Sequence, residues 1–93
     1  MVRVKVRLVQ EFYQYTKRHE IEIELPGETA TIAEVLEKLP GEIRERLLDE
    51  KGGIKPPAEV AVNGRRIEFL QGLETRVKEG DVVLVSPRAL FVV

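Results

Sequence analysis

Few side chains in this sequence are of the types that carry out chemistry. His19 is the only histidine and cysteine is absent, which excludes a thiolate nucleophile and cysteine-based metal sites. The residues beside His19 are Lys17, Arg18 and Glu20, and they supply neither a metal-ligand set nor an acid–base pair. We find no Ser/His/Asp set, no phosphate-binding glycine loop and no paired carboxylates in an apolar setting. The sequence therefore predicts a solvated His19 and a protein that is not an enzyme, with no catalytic residue, metal site or cofactor.

Two pairs of adjacent basic residues are the candidates for binding an anion. They are Lys17 with Arg18, and Arg65 with Arg66. Glu68 lies close to the second pair, and 15 basic residues are balanced by 16 acidic ones, for a net charge of −1 at pH 7. Without an excess of positive charge, a general attraction to nucleic acid or to anionic membranes is not expected. Both pairs are predicted to be ordinary solvated positions; a small patch for phosphate or RNA is the alternative, and nucleic acid is disfavoured as a partner.

Length and charge pattern limit the domain organisation and the location. A chain of 93 residues has room for one hydrophobic core, so we expect a single domain over residues 1–93. Charged residues at every second position of Val2–Leu8 exclude a signal-peptide core or a membrane span there. This pattern predicts a cytoplasmic protein with no membrane partner. A charged fraction of 33%, with no cysteine and one methionine, favours a thermophilic source.

The N-terminal part of the sequence predicts a hairpin of two strands. In Val2–Leu8 apolar residues alternate with Arg and Lys, and in Glu20–Leu25 they alternate with Glu. If these strands pair antiparallel, the basic side chains of one face the acidic side chains of the other, and each pair adds roughly a few tenths of a kcal/mol. Three aromatic residues between the strands are expected to cap one end of the core or, alternatively, to form a partner-facing patch: Phe12, Tyr13 and Tyr15.

A helical segment follows the hairpin. Thr31 and Glu34 have the spacing of a capping box, which predicts that a helix begins at Ile32. Pro40 ends or interrupts this helix. A second helical stretch is expected over Glu42–Glu50, because two glycines that stop a helix follow it.

The rest of the chain predicts three more strands. Glu59–Val62 is closed by Asn63–Gly64, a strong hairpin signal, so that Arg65–Leu70 returns as its partner. Gln71–Glu79 has little periodicity and is expected to be an irregular connection. Val82–Val85 is wholly apolar, which is typical of a central strand buried on both faces. Pairing the two most apolar strands, the first and the last, in the middle of a mixed sheet gives an α+β fold of the β-grasp type, with one main helix packed across the sheet.

Four stretches of the sequence share their order and spacing with one known family. They are Glu24–Ile32, Val60–Gly64, Gly72–Thr75 and Lys78–Val83. In these stretches the chain resembles the MoaD/ThiS family of ubiquitin-like sulfur carriers, which includes the small subunit of molybdopterin synthase and the thiamine sulfur carrier. Glycine, proline and asparagine dominate the match because turns need special backbone angles, so the resemblance implies first of all the β-grasp fold.

The activity implied by the resemblance conflicts with the residues that follow the last strand. In the family, a partner enzyme adenylates the carboxylate of a C-terminal Gly-Gly and converts it to a thiocarboxylate that delivers sulfur. Here Ser86 and Pro87 lead into Arg88–Val93, which contains no glycine. Two final β-branched valines are stiff and bulky, and they oppose threading through a narrow channel. The only Gly-Gly, at 52–53, precedes the later strands, so trimming there would remove them.

The apolar end of the chain and one aromatic residue are the candidates for partner binding. An exposed apolar tail is costly in water, so the tail either folds back on its own sheet or pairs with a partner or a second copy by strand addition; a disordered tail is the third alternative. Phe69 belongs either to the core or to the exposed surface through which ubiquitin-like domains meet partners. The predicted partner-binding residues are Phe69, Arg88, Ala89, Leu90, Phe91, Val92 and Val93.

The resemblance and the tail together lead to one expected function and one alternative. We expect a noncovalent binding or assembly module whose partner is a protein, similar to an activating enzyme or to the large subunit of a synthase, or a second copy bound through the tail. The alternative is a sulfur carrier with an atypical C-terminus, acting in the biosynthesis of the molybdenum or tungsten pterin cofactor or of thiamine.

Overall fold

The computed structural model describes residues 1–87. Predicted partner-binding residues Arg88–Val93 lie outside the described residues. The strands and α-helices, in chain order, are β1 Val2–Leu8, α1 Glu11–Thr16, β2 Glu20–Leu25, β3 Thr29–Thr31, α2 Ile32–Glu37, α3 Gly41–Leu47, β4 Glu59–Val62, β5 Arg65–Arg66, β6 Arg76–Lys78 and β7 Val82–Ser86. Two short 3₁₀ helices, Ile67–Phe69 and Gly72–Glu74, lie between β5 and β6.

The main sheet has five strands in the order β2-β1-β7-β4-β5. β1 pairs antiparallel with β2 and parallel with β7, and β7 pairs antiparallel with β4. The first and last described strands therefore lie side by side at the centre, as the sequence predicts, because they are the most apolar and gain most from burial. Helices pack on one face of this mixed sheet, which confirms the predicted β-grasp fold.

In the hairpin of β1 and β2, basic residues lie opposite acidic ones, as the charge pattern predicts. Arg7 lies opposite Glu20, Lys5 opposite Glu22 and Arg3 opposite Glu24. The alternate residues of β1 are fully buried, whereas the basic ones are exposed. Because a strand repeats every two residues, this register fixes which face of the sheet meets the core.

The segment that crosses the sheet is divided into two short helices. The capping box predicted at the start of α2 is present: the Glu34 N–H donates to the Thr31 hydroxyl at 3.3 Å, and the Thr31 N–H donates to the Glu34 carboxylate at 2.9 Å. Pro40 then separates α2 from α3. The predicted end of the second helix at Glu50 is wrong, because Leu48 is extended and pairs with Ile54 in an isolated bridge.

The connection between β4 and β7 differs most from the sequence prediction. The strand predicted over Arg65–Leu70 is only two residues long, since the chain turns into a 3₁₀ helix at Ile67. The connection predicted to be irregular over Gln71–Glu79 contains β6, which pairs antiparallel with β3 in a separate two-stranded sheet. A three-residue strand such as β6 is too short for its alternation to be recognised in the sequence.

The three aromatic residues between β1 and β2 do not act together. Phe12 on α1 is buried in the core, whereas Tyr15 is 39% exposed, with the Arg46 guanidinium 4.0 Å from its ring centroid. Tyr13 is half-buried and stacks on the His19 ring at a centroid distance of 4.1 Å. Only Phe12 therefore caps the core in the predicted way.

Within residues 1–87 the buried apolar residues, with the exception of Ala61, form one cluster between the sheet and the helices. Burial of β7 on both faces is not observed, because Val83 and Val85 are fully buried but Val82 and Leu84 are half-buried on the outer face. No helix in this part of the chain is long and apolar enough to cross a membrane. The single domain over residues 1–93 stays a prediction.

Candidate partner-docking surface

A tight turn between β4 and β5 positions the candidate site. Asn63 and Gly64 have positive φ angles of 49° and 87°, a conformation that favours Asn and Gly in two-residue hairpin turns. The Asn63 side chain accepts a hydrogen bond from the Val82 N–H at 3.0 Å and donates one to the Asp81 carboxylate at 3.1 Å. These bonds tie the turn to the start of β7, so the hairpin has a fixed position on the sheet.

The residues after this hairpin present an exposed aromatic side chain. Phe69 is 69% exposed and Leu70 is 37% exposed, while Ile67, at the start of the same 3₁₀ helix, is buried. Ile67 thus anchors the turn that leaves Phe69 in solvent. A shallow depression of about 420 Å³ is lined by the residues that we call the docking surface: Gly64, Arg65, Arg66, Phe69 and Leu70.

Arg66 holds the exposed ring in place. Its guanidinium carbon lies 4.8 Å from the Phe69 ring centroid, a cation–π contact. The same guanidinium makes an ion pair with Glu59 at 2.8 Å and a longer one with Glu68 at 3.5 Å. Arg66 and Glu59 are partly buried, so their ion pair is screened less than a fully exposed one. The arginine predicted to be an ordinary solvated residue therefore braces Phe69.

A second depression borders the docking surface. It has a volume of about 310 Å³ and includes Pro56, Pro57 and Ala58, together with Glu59 and Glu68, the two carboxylates that pair with Arg66. Glu59 lies opposite Ser86 in the pairing of β4 with β7. The end of β7 is therefore next to this depression, and Arg88–Val93 follow from that point in the chain.

The remaining predicted candidates do not form a site in the described residues. His19 is exposed, its ring stacks on Tyr13, and its carbonyl accepts a hydrogen bond from the Leu8 N–H at 2.8 Å. Lys17 and Arg18 are also exposed. Among residues 1–87 no group of three or more His, Cys, Asp and Glu side chains is arranged to hold a metal ion.

The pKa of the Glu79 carboxyl group is clearly shifted, and this group lies away from the docking surface. The Arg3 N–H donates to Glu79 at 2.8 Å, and this hydrogen bond is the main cause that lowers the pKa of Glu79 below its ordinary value. The positive charge of Arg3, 3.1 Å from the other carboxylate oxygen, acts in the same direction. The arrangement ties the N-terminus of β1 to the turn before β7 and has no chemical role at the docking surface.

Sequence reasoning identified Phe69 but missed its supporting residues. The sequence predicts Leu70 in a strand, because the early end of β5 leaves no periodic signal. It predicts a solvated Arg66, because a contact with an aromatic ring leaves no such signal either. A usable signal was the presence of two adjacent arginines shortly before a phenylalanine, since arginine is the cation found most often over an aromatic ring.

The chain is similar to several known small proteins. A model of the ThiS family matches residues 6–87. The chain is similar to a candidate sulfur carrier protein of Archaeoglobus fulgidus, 32% identical over 69 residues that span 71% of this chain and 78% of the relative. It is also similar to small archaeal modifier protein 3 of Haloferax volcanii, 38% identical over 61 residues that span 62% of this chain and 65% of the relative.

A solved structure extends the similarity to most of the chain. The structure is that of a candidate molybdopterin converting factor, subunit 1, from Pyrococcus furiosus. It is 32% identical, with a TM-score of 0.75, and the match covers 96% of this chain and 100% of the other. Its name describes one subunit of a larger protein, whereas the two relatives are named as a carrier and a modifier. The chain belongs to the ThiS family of ubiquitin-like proteins.

Proposed function

We propose that this ThiS-family chain is a noncovalent protein-binding module that forms a single domain over residues 1–93 in the cytoplasm. Its docking surface binds a protein partner, with Phe69 at the centre and Arg88–Val93 adding contacts beside it. The observation that carries the proposal is the exposure of Phe69, 69% of which is open to solvent while the Arg66 guanidinium lies against its ring. A large exposed aromatic side chain of this kind is typical of a binding surface.

The fixed position of the ring favours binding. A flexible side chain loses rotamer freedom when a partner orders it, at a cost of about 0.5–1.5 kcal/mol. The cation–π contact with Arg66 favours one orientation of the Phe69 ring, and the charge of Arg66 is paired with Glu59 and Glu68. A partner can therefore cover the ring without leaving an unpaired buried cation.

The kind of partner follows from the family and from the composition of the surface. The docking surface combines two apolar side chains with the exposed Arg65, so an apolar pocket with a carboxylate at its rim is complementary to it. A protein similar to the activating enzyme or to the synthase large subunit is the expected source of that pocket. A second copy of this chain, bound through the tail, is the alternative partner.

The composition of Arg88–Val93 supports binding. Arg88–Val93 contains no glycine, and four of its six residues are large and apolar. Such a segment adds apolar contact area to an interface.

Sulfur transfer is the second candidate function. It is favoured by two of the similar proteins. One relative is named a candidate sulfur carrier protein, and one solved structure is that of a candidate molybdopterin converting factor subunit. In this role the chain would supply sulfur for a molybdenum or tungsten pterin cofactor, or for thiamine, after activation of its C-terminal carboxylate by a partner enzyme.

One experiment separates the two functions. The protein is mixed with a purified activating enzyme, and separately with a purified synthase large subunit. Both partners come from the organism that produces this protein. Binding is measured by calorimetry without ATP, and intact mass spectrometry then follows the protein after ATP and a sulfur donor are added. Noncovalent binding predicts an ATP-independent complex that the Phe69→Ala variant weakens, with no change in the mass of the chain.

Two other results decide against the proposal. An adenylate, or replacement of one carboxylate oxygen by sulfur, establishes the carrier function and overturns the noncovalent one. If neither enzyme binds the protein and neither changes its mass, the noncovalent function and the carrier function are both overturned. Tyr15→Ala is the matched control, because Tyr15 is also an exposed aromatic residue under an arginine but lies on α1, away from the docking surface.

A further inference from the structure

Within residues 1–87, one long edge of the main sheet has no neighbouring strand. β2 is the outermost strand on its side and has six residues, whereas β5 at the opposite edge has two. Exposed strand edges accept an added strand from another chain, because their outward backbone groups still need hydrogen-bond partners. β2 is therefore the only edge in the described part of the main sheet that is long enough for a stable added strand.

The hydrogen-bond register shows which residues of β2 point outward. The Leu8 N–H donates to the His19 carbonyl at 2.8 Å, so this pair faces inward between the strands. Hydrogen-bonded pairs recur at every second residue of an antiparallel ladder, which places Ile21 and Ile23 in the same class. The N–H and C=O groups of the intervening residues consequently point away from β1, and those residues are Glu20, Glu22 and Glu24.

The same three residues carry the charge of this edge. Their side chains are exposed on the outer face of the sheet. Arg7 approaches Glu20 at 4.0 Å, and Arg3 pairs with Glu79 instead of with Glu24. Within residues 1–87, Glu22 and Glu24 make no ion pair closer than 4.0 Å. The edge thus offers outward backbone groups and negative side chains at the same positions.

A second copy of the chain does not fit this edge. In an added antiparallel strand, the residues whose backbone groups face the edge lie directly opposite its outward residues. Two β2 strands paired in this way would set glutamate opposite glutamate in every register, and like charges directly opposite each other are destabilising. A strand that fits this edge therefore carries Lys or Arg at alternate positions. β1, which pairs with the other edge of β2, has this pattern, and its Lys5 lies opposite Glu22.

We propose that the outer edge of β2 binds an extended basic segment of a protein partner, which adds a sixth strand to the main sheet. Its Lys or Arg side chains lie opposite Glu20, Glu22 and Glu24, and its intervening apolar side chains lie on the core side beside Ile21, which is half-buried. This site is independent of the docking surface around Phe69, so it can be tested whether or not that surface binds a partner.

The test uses a synthetic peptide with the β1 pattern, Arg-Val-Lys-Val-Arg-Val, blocked at both ends, added to the nitrogen-labelled full-length protein. We expect saturable binding by NMR and slower hydrogen exchange of the Glu20, Glu22 and Glu24 amides. The amides of Ile21 and Ile23 already face β1, so their exchange is expected to stay the same. Glu22→Lys, which replaces an attraction by a repulsion, is expected to weaken binding about tenfold.

Two variants and two peptides keep the test specific. Glu22→Pro removes an outward N–H that β1 does not use, a position where a strand tolerates proline, and it should abolish binding while the spectrum stays folded. Glu45→Lys changes an exposed glutamate of α3 by the same charge and should leave the affinity unchanged. Two control peptides should bind weakly or not at all. One is acidic, Glu-Val-Glu-Val-Glu-Val; the other, Arg-Lys-Arg-Val-Val-Val, has the composition of the test peptide, but its basic residues are grouped at one end and do not alternate with valine.

The proposal is overturned if the test peptide does not bind at millimolar concentration, or if the exchange of the three glutamate amides is unchanged at saturation. It is also overturned if either control peptide binds as tightly as the test peptide. Undiminished affinity of the Glu22→Pro variant also overturns it, since an added strand needs that N–H.

Discussion

Substitution of Phe69 by alanine separates binding from folding, and its cost can be worked out from the structure. The side chain is 69% exposed, so it hides roughly a third of its surface. Full burial of a phenylalanine stabilises a protein by about 1.5–3 kcal/mol, and a third of this is about 0.5–1 kcal/mol. Loss of the cation–π contact with Arg66 adds about 0.5–1 kcal/mol. The expected loss of stability is therefore about 1–2 kcal/mol.

The same change is expected to cost more in binding than in stability. An aromatic residue at the centre of an interface contributes at least about 2 kcal/mol to binding, which corresponds to a dissociation constant weakened about 30-fold. The loss of stability corresponds to a decrease in melting temperature of about 4–16 °C for a domain of this size. Both quantities are measured on one preparation, by calorimetry with the purified partner and by thermal unfolding.

Phe12→Ala is the internal comparison. Phe12 is 1% exposed, so the same truncation leaves a core cavity and should cost about 3–5 kcal/mol of stability, out of a total of about 5–14 kcal/mol. The reasoning is refuted if Phe69→Ala destabilises the protein as strongly as Phe12→Ala. It is also refuted if Phe69→Ala leaves the affinity for the partner within about threefold of the original value, a change of well under 1 kcal/mol.

Three further changes test other parts of the account. Glu79→Gln removes a carboxylate whose pKa is lowered by the Arg3 N–H. The stability that this carboxylate contributes is present above the ordinary carboxyl pKa and is lost as the pH falls through the lowered pKa. In urea unfolding the variant should therefore be less stable than the original protein at neutral pH and equally stable in acid. Thr31→Ala removes the capping box with Glu34 and should cost about 1 kcal/mol in urea unfolding. Deletion of Leu90–Val93 should lower the mass measured by light scattering if the tail joins two copies, and should lower the melting temperature at constant mass if the tail packs internally; no change in either would reject both interpretations.

Sequence reasoning predicted the parts of the fold that repeat a simple pattern. The alternation in Val2–Leu8 and Glu20–Leu25 predicted two strands and which of their side chains share a face, because a slip of one residue would expose the buried set. Thr31 and Glu34 located the start of α2, since a capping box has a fixed spacing. Asn63 and Gly64 located the tight turn that supports the docking surface.

The parts that could not be predicted depend on contacts between distant segments. β6 exists because Thr29–Thr31 lies next to it in space, and three residues are too few for a recognisable period. The half-burial of Leu84 also could not be predicted, because an apolar run looks the same whether one or both faces of its strand are covered. Phe69 was found as a candidate, but its bracing by Arg66 depends on where β5 ends.

The most direct test of the central claim is an NMR titration of the nitrogen-labelled full-length protein with the purified activating enzyme or synthase large subunit, without ATP. Noncovalent binding through the docking surface predicts that the largest shifts and line broadening occur at the backbone amides of Arg66, Phe69 and Leu70. Shifts confined to other regions, or an interaction that appears only when ATP forms an adduct with the chain, would contradict it.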